Sequence, residues 1–70
     1  MSHKINSNDL RGYEFKQEIA GSYGKGEHKT LNVRILTGDV ATVWYEVLEN
    51  RVLIGFRSKL SDAVVLYNEL

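Results

Sequence analysis

Seventy residues and 8.0 kDa leave room for one small domain, since a second would need roughly 50 residues of its own. Nine Lys and Arg against nine Asp and Glu give zero formal charge and a pI near 6.7, which speaks against both a strongly basic nucleic-acid scavenger and an acidic nucleic-acid mimic. The absence of cysteine excludes a disulfide framework, a thiolate metal site and a redox motif, so packing or association must stabilise the domain.

Met1 to Leu10 sets the isolated aliphatics Ile5 and Leu10 among Ser, Asn, His and Lys, a composition that does not offset ordering entropy. A flexible tail over residues 1–10 and a single domain over 11–70 are expected. The segment also lacks the apolar centre of a signal peptide. Apolar runs such as Ala63 to Tyr67 fall far short of the roughly 20 residues that span a bilayer. A soluble cytoplasmic protein with no membrane contact is the expectation.

From Tyr13 the pattern alternates, with Tyr13, Phe15, Gln17 and Ile19 on one side and Glu14, Lys16 and Glu18 on the other, which predicts a strand with one wet face. Leu31, Val33 and Ile35 alternate with Asn32 and Arg34 in a second strand. Between them Gly24-Lys25-Gly26 predicts a three-residue hairpin loop with Gly26 in the left-handed conformation. This closure pairs Ile19 with Leu31, Gln17 with Val33 and Phe15 with Ile35, and it sets Lys16 against Arg34, an unfavourable like-charge pair. A five-residue loop would pair Glu18 with Arg34 instead.

Thr37-Gly38-Asp39 predicts a second three-residue loop, aligning Ile35 with Ala41, Val33 with Val43 and Leu31 with Tyr45. The third run, Ala41 to Leu48, meets the fourth, Arg51 to Arg57, across a two-residue turn at Glu49-Asn50, where Asn tolerates positive φ. That turn pairs Val47 with Val52, Tyr45 with Ile54 and Val43 with Phe56. All three turns place one apolar face across four strands, and a one-residue slip would turn a strand's apolar set to water.

Ser58 to Leu70 abandons period two. Leu60, Ala63, Val64, Tyr67 and Leu70 fall on one helical stripe, Ser61 or Ser58 can cap the helix, and a Ser61 cap would make Leu60 and Val65 a hydrophobic staple. The predicted fold is α+β, a four-stranded antiparallel meander with one C-terminal helix on its apolar face. A helix of about ten residues spans roughly 15 Å and covers about two strands spaced about 4.8 Å apart. Either the N-terminal segment covers the rest through Ile5 and Leu10, or a second chain does; a homodimer is expected.

Few residues carry chemistry. His3 lies in the tail and His28 beside a hairpin loop, neither with a His or Cys partner at ligand spacing, so both read as solvent-exposed and no metal site is expected. Glu14 and Glu18 share a strand face, as alternating charge on a wet strand ordinarily does. Gly21 to Gly26 is not a phosphate loop, because Gly24-Lys25 is followed by Gly26 and a strand rather than by Ser or Thr and a helix. No catalytic residue or cofactor is expected.

The face opposite the helix is more informative. The predicted registers give one row of Lys16, Arg34, Thr42 and Arg57 beside another of Glu18, Asn32, Trp44 and Gly55. Trp44, the sole tryptophan, either covers backbone that Gly55 leaves bare or anchors a partner, with Leu48 and Leu53 enlarging the apolar area. Trp44, Leu53, Arg34 and Arg57 are the candidate partner-binding residues. Aromatic and arginine side chains together mark protein interfaces. The expected function is therefore a small non-enzymatic protein-binding or regulatory module, an accessory or phage-type inhibitor that occupies an unidentified partner protein's surface. The alternative is a single-stranded nucleic-acid binder that stacks bases on Trp44; a structural subunit of a larger assembly is the third reading.

Overall fold

A computed structural model describes residues 4–70. A short 3-10 turn at Ser7–Leu10 precedes strands β1 (Glu14–Ser22), β2 (Lys29–Leu36), β3 (Thr42–Glu49) and β4 (Val52–Arg57), and helix α1 (Leu60–Glu69) closes the chain. The strands pair antiparallel in the order β1-β2-β3-β4, and α1 packs across β2, β3 and β4. This is the meander with a C-terminal helix that the apolar pattern predicts.

Met1 to His3, including the candidate His3, lie outside the described residues. Beyond them, Asn6 caps the 3-10 turn in a reciprocal box with Asp9. The Thr37 hydroxyl donates to the Leu10 carbonyl, and Arg11 forms an ion pair with Asp39. The end of the segment, at Leu10 and Arg11, is thus fastened to the β2–β3 loop. It does not fold over the apolar face, since Ile5 and Leu10 stay 58% and 48% exposed.

The first hairpin keeps its predicted register from Phe15↔Ile35 to Glu18↔Asn32, including Lys16↔Arg34. A bulge then leaves Ile19 without a partner and pairs Ala20 with Leu31, so the predicted Ile19–Leu31 pairing is replaced. Gly26 takes the left-handed conformation at φ 79°, but the bulge lengthens the connection to residues 23–28.

Between β2 and β3 every predicted pair moves by two residues, giving Leu31↔Val47, Val33↔Tyr45 and Ile35↔Val43. The cause lies at Thr37. Its N–H donates to the Tyr13 carbonyl and its carbonyl accepts from the Gly12 N–H, so Thr37 continues the pairing with β1 and the loop widens to residues 37–41. A shift of two preserves the face of each side chain.

The β3–β4 hairpin departs further from the predicted pairing. Asn50 and Arg51 both adopt positive φ, 52° and 69°, so the tight turn sits one residue later than predicted and pairs Glu49 with Val52. A bulge at Ile54 follows, giving Leu48↔Leu53 and then Val47↔Gly55, Glu46↔Phe56 and Tyr45↔Arg57. The odd net displacement reverses the end of β4. Gly55 and Arg57 stand on the helix face, while Phe56 joins Trp44 on the other.

Helix α1 begins at Leu60 with Lys59 as its N-cap, and no side chain caps it. Neither Ser58 nor Ser61 takes that role, because Ser61 already lies inside the first turn. Ala63, Leu66, Tyr67 and Leu70 face the sheet, where Leu31, Val47 and Ala63 form a fully buried nucleus of small volume. Lys29 Nζ lies 4.5 Å from the Tyr67 ring centroid and donates to the carbonyls of Tyr67 and Leu70, which fastens the helix C-terminus. No helix of the described residues is long and apolar enough to cross a membrane. The radius of gyration is 15.7 Å, against about 11 Å for a compact chain of this length.

Candidate functional site

The face of the sheet away from α1 is organised around Trp44. Strand alternation puts Thr42, Trp44, Glu46 and Leu48 of β3 on this face, and cross-strand pairing sets Arg34 beside Trp44. The Arg34 guanidinium lies 5.5 Å from the Trp44 ring centroid. Its Nη1 donates to Glu46 Oε1 at 2.8 Å and its Nη2 to Glu14 Oε2 at 2.9 Å. The Trp44 Nε1 points toward Glu46 Oε2 at 3.5 Å.

These contacts explain how the sheet tolerates Lys16 opposite Arg34. Carboxylates from β1 and β3 take up the guanidinium, and hydrogen bonding to Glu46 holds the Arg34 pKa above its ordinary value against the opposing cost of burial. The Arg34 side chain is only 19% exposed, so it serves as a fixed strut beside the indole.

Beside Trp44 the sheet opens into a groove of about 720 Å³, lined by Trp44, Val43, Leu53, Phe56, Arg57 and Glu46 together with the small residues Thr42 and Ser58. Leu53 and Phe56 are 49% and 63% exposed, large values for apolar side chains in a strand. Three of the four predicted residues, Trp44, Leu53 and Arg57, line this groove, while Arg34 supports the indole from the side. Arg57 reaches the groove from another direction than the predicted row supplies. Its strand position is on the helix face opposite Tyr45, and its Nη1 donates to the Phe56 carbonyl at 2.7 Å at the open edge.

Trp44 does not cover Gly55. Gly55 pairs with Val47 on the opposite face, and an added Cβ there would meet Leu66 Cδ2 at 3.1 Å. An aromatic ring over glycine occurs elsewhere, at Gly21, whose added Cβ would meet Tyr23 Cε2 at 2.7 Å. The covering role proposed for Trp44 therefore falls away. Alternation alone does not reveal Phe56, because the unshifted register places it in the core. Gly55 was the available signal, since an isolated glycine within a strand pattern often accompanies a bulge.

His28 ends the β1–β2 connection and is half-buried rather than solvent-exposed, its ring 4.9 Å from that of Tyr23. Together with Lys16, Glu18, Thr30, Asn32 and Arg51 it borders a second hollow of about 490 Å³ on the same face as Trp44. Glu18 is engaged locally, because its carboxylate stands beside the Tyr23 phenol and raises the phenol's pKa. No family model, curated protein or solved structure matches the chain.

Proposed function

We propose that this chain is a small non-enzymatic protein-binding or regulatory module, an accessory or phage-type inhibitor that works in the cytoplasm as a homodimer and occupies a partner protein's surface with the Trp44 groove. One observation carries the reading: a rigidly supported indole stands beside the exposed Leu53 and Phe56 in a single apolar recess. Aromatic anchors flanked by aliphatic side chains dominate binding energy at protein interfaces. The dimeric part rests on the small buried nucleus, which leaves the apolar surface of β4 and of the distal sheet open.

The state of Arg34 weighs against stacking of single-stranded nucleic acid, because the cation nearest the indole is already paired with Glu14 and Glu46 rather than offered to phosphate. Replacing Trp44 with Ala should leave the folded state intact and weaken capture of a cellular partner by about 2 kcal/mol or more. Replacing Lys25, remote from the groove, should leave capture unchanged. An oligonucleotide that quenches Trp44 fluorescence, with affinity falling steeply as salt is added, would decide for the nucleic-acid alternative.

A further inference from the structure

The two edges of the sheet are built differently. Both edge strands carry a bulge, at Ile19 in β1 and at Ile54 in β4, but β1 also carries Glu14, Lys16 and Glu18, the charged residues by which proteins discourage edge-to-edge pairing. Edge strand β4 reads Val-Leu-Ile-Gly-Phe before its first charge at Arg57. Its residues Val52, Leu53, Ile54 and Phe56 are 62%, 49%, 43% and 63% exposed, and among the described residues no strand pairs with its outer side. Such an edge is a template for another strand.

Helix α1 supplies the second observation. On its β4 flank Asp62, Val65 and Glu69 border a shallow hollow together with Arg57, and Val65 is 57% exposed. Arg57 forms no ion pair with either acid among the described residues, so a cation and two anions stand unpaired along one apolar edge. That surface is self-complementary.

We infer that two copies join β4 to β4 in an antiparallel pair about a two-fold axis perpendicular to the sheet, forming a continuous eight-stranded sheet with both helices on one face. The inference rests on the dimeric reading given above and specifies its interface. The two-fold axis sets each Val65 toward its counterpart and each Arg57 toward Asp62 and Glu69 of the other copy. On the opposite face the Trp44 grooves of the two copies meet along the seam through Leu53 and Phe56. Backbone hydrogen bonds supply the pairing, the apolar side chains gain lateral neighbours across the seam while the face that bears Trp44 stays open to a partner, and the charges set the register.

Charge reversal across two chains tests this arrangement. Wild-type protein should sediment as a dimer of about 16 kDa, twice the 8.0 kDa chain. Arg57→Glu sets acid against acid across the seam, and the double variant Asp62→Lys, Glu69→Lys sets base against base. Each should raise the dimer dissociation constant about tenfold or more with circular dichroism unchanged, and an equimolar mixture of the two should recover the dimer. Pairing within one chain cannot produce that recovery. Amide exchange gives a measurement independent of variants: exchange across Val52–Arg57 should slow as protein concentration rises, while exchange across Glu14–Glu18 should not. An 8.0 kDa species at about 100 μM overturns both the dimer and its interface. A dimer that protects β1 instead of β4, or whose mixed variants fail to associate, overturns this interface and leaves the dimeric reading standing.

Discussion

Leu66 Cδ2 lies 3.1 Å from the position a Cβ would take on Gly55, so the helix rests on the one residue of β4 that has no side chain. Glycine here admits the helix rather than a turn. Gly55→Val should push Leu66 outward and lower stability by about 1–3 kcal/mol, with Gly55→Ala falling between it and wild type. Urea unfolding of the three proteins checks the order; equal midpoints would mean that α1 shifts without loss.

Arg51 occupies the second left-handed position of the β3–β4 turn at φ 69°. A residue with a Cβ is disfavoured there, and Asn-Gly is the preferred pair for such a turn. Arg51→Gly should therefore raise stability by about 1 kcal/mol, seen as a higher thermal midpoint. A fall would mean that the Arg51 side chain contributes more at the hollow it borders than its backbone strain costs.

The N-terminus of α1 lacks a side-chain cap, since Lys59 at the capping position has no acceptor to offer. Its backbone is already extended, with φ −114° and ψ 137°, as a capping residue requires. Lys59→Asp should stabilise the protein by about 1 kcal/mol through a hydrogen bond to the first turn and a favourable charge at the positive helix end. Denaturant titration measures the gain, and Lys59→Ala, which adds no acceptor, should not reproduce it.

Tyr23 should titrate later than a free phenol. Hydrogen bonding to Glu18 is the main cause, with desolvation and the Glu18 charge acting in the same direction, and together they raise the Tyr23 pKa above its ordinary value of 10.0. A group whose pKa is raised on folding stabilises fully below its unfolded value. This contribution is therefore complete below pH 10 and is lost as pH rises through the folded value. Difference absorbance between wild type and Tyr23→Phe isolates the transition, and Glu18→Gln should bring it back toward the ordinary phenol range.

The alternation from Tyr13 to Arg57 and the helical spacing after Ser58 determined the order and type of every main element, because period two and period 3.6 bury different sets of side chains. The first hairpin register from Phe15 to Glu18 was equally legible, as was the left-handed Gly26. The two bulges were decided by tertiary contacts. Ile19 and Ile54 each look like ordinary members of an alternating run, and a bulge costs little in local propensity while it changes the face of every residue beyond it. Thr37 could have closed a turn, yet its backbone bonds to Gly12 and Tyr13, partners 24 or more positions away whose approach exists only in the folded sheet. The candidate site divides in the same way. Trp44 and Leu53 were assigned to the outer face from alternation alone, whereas Phe56 joined them and Arg57 left its predicted row because the bulge at Ile54 reversed the end of β4.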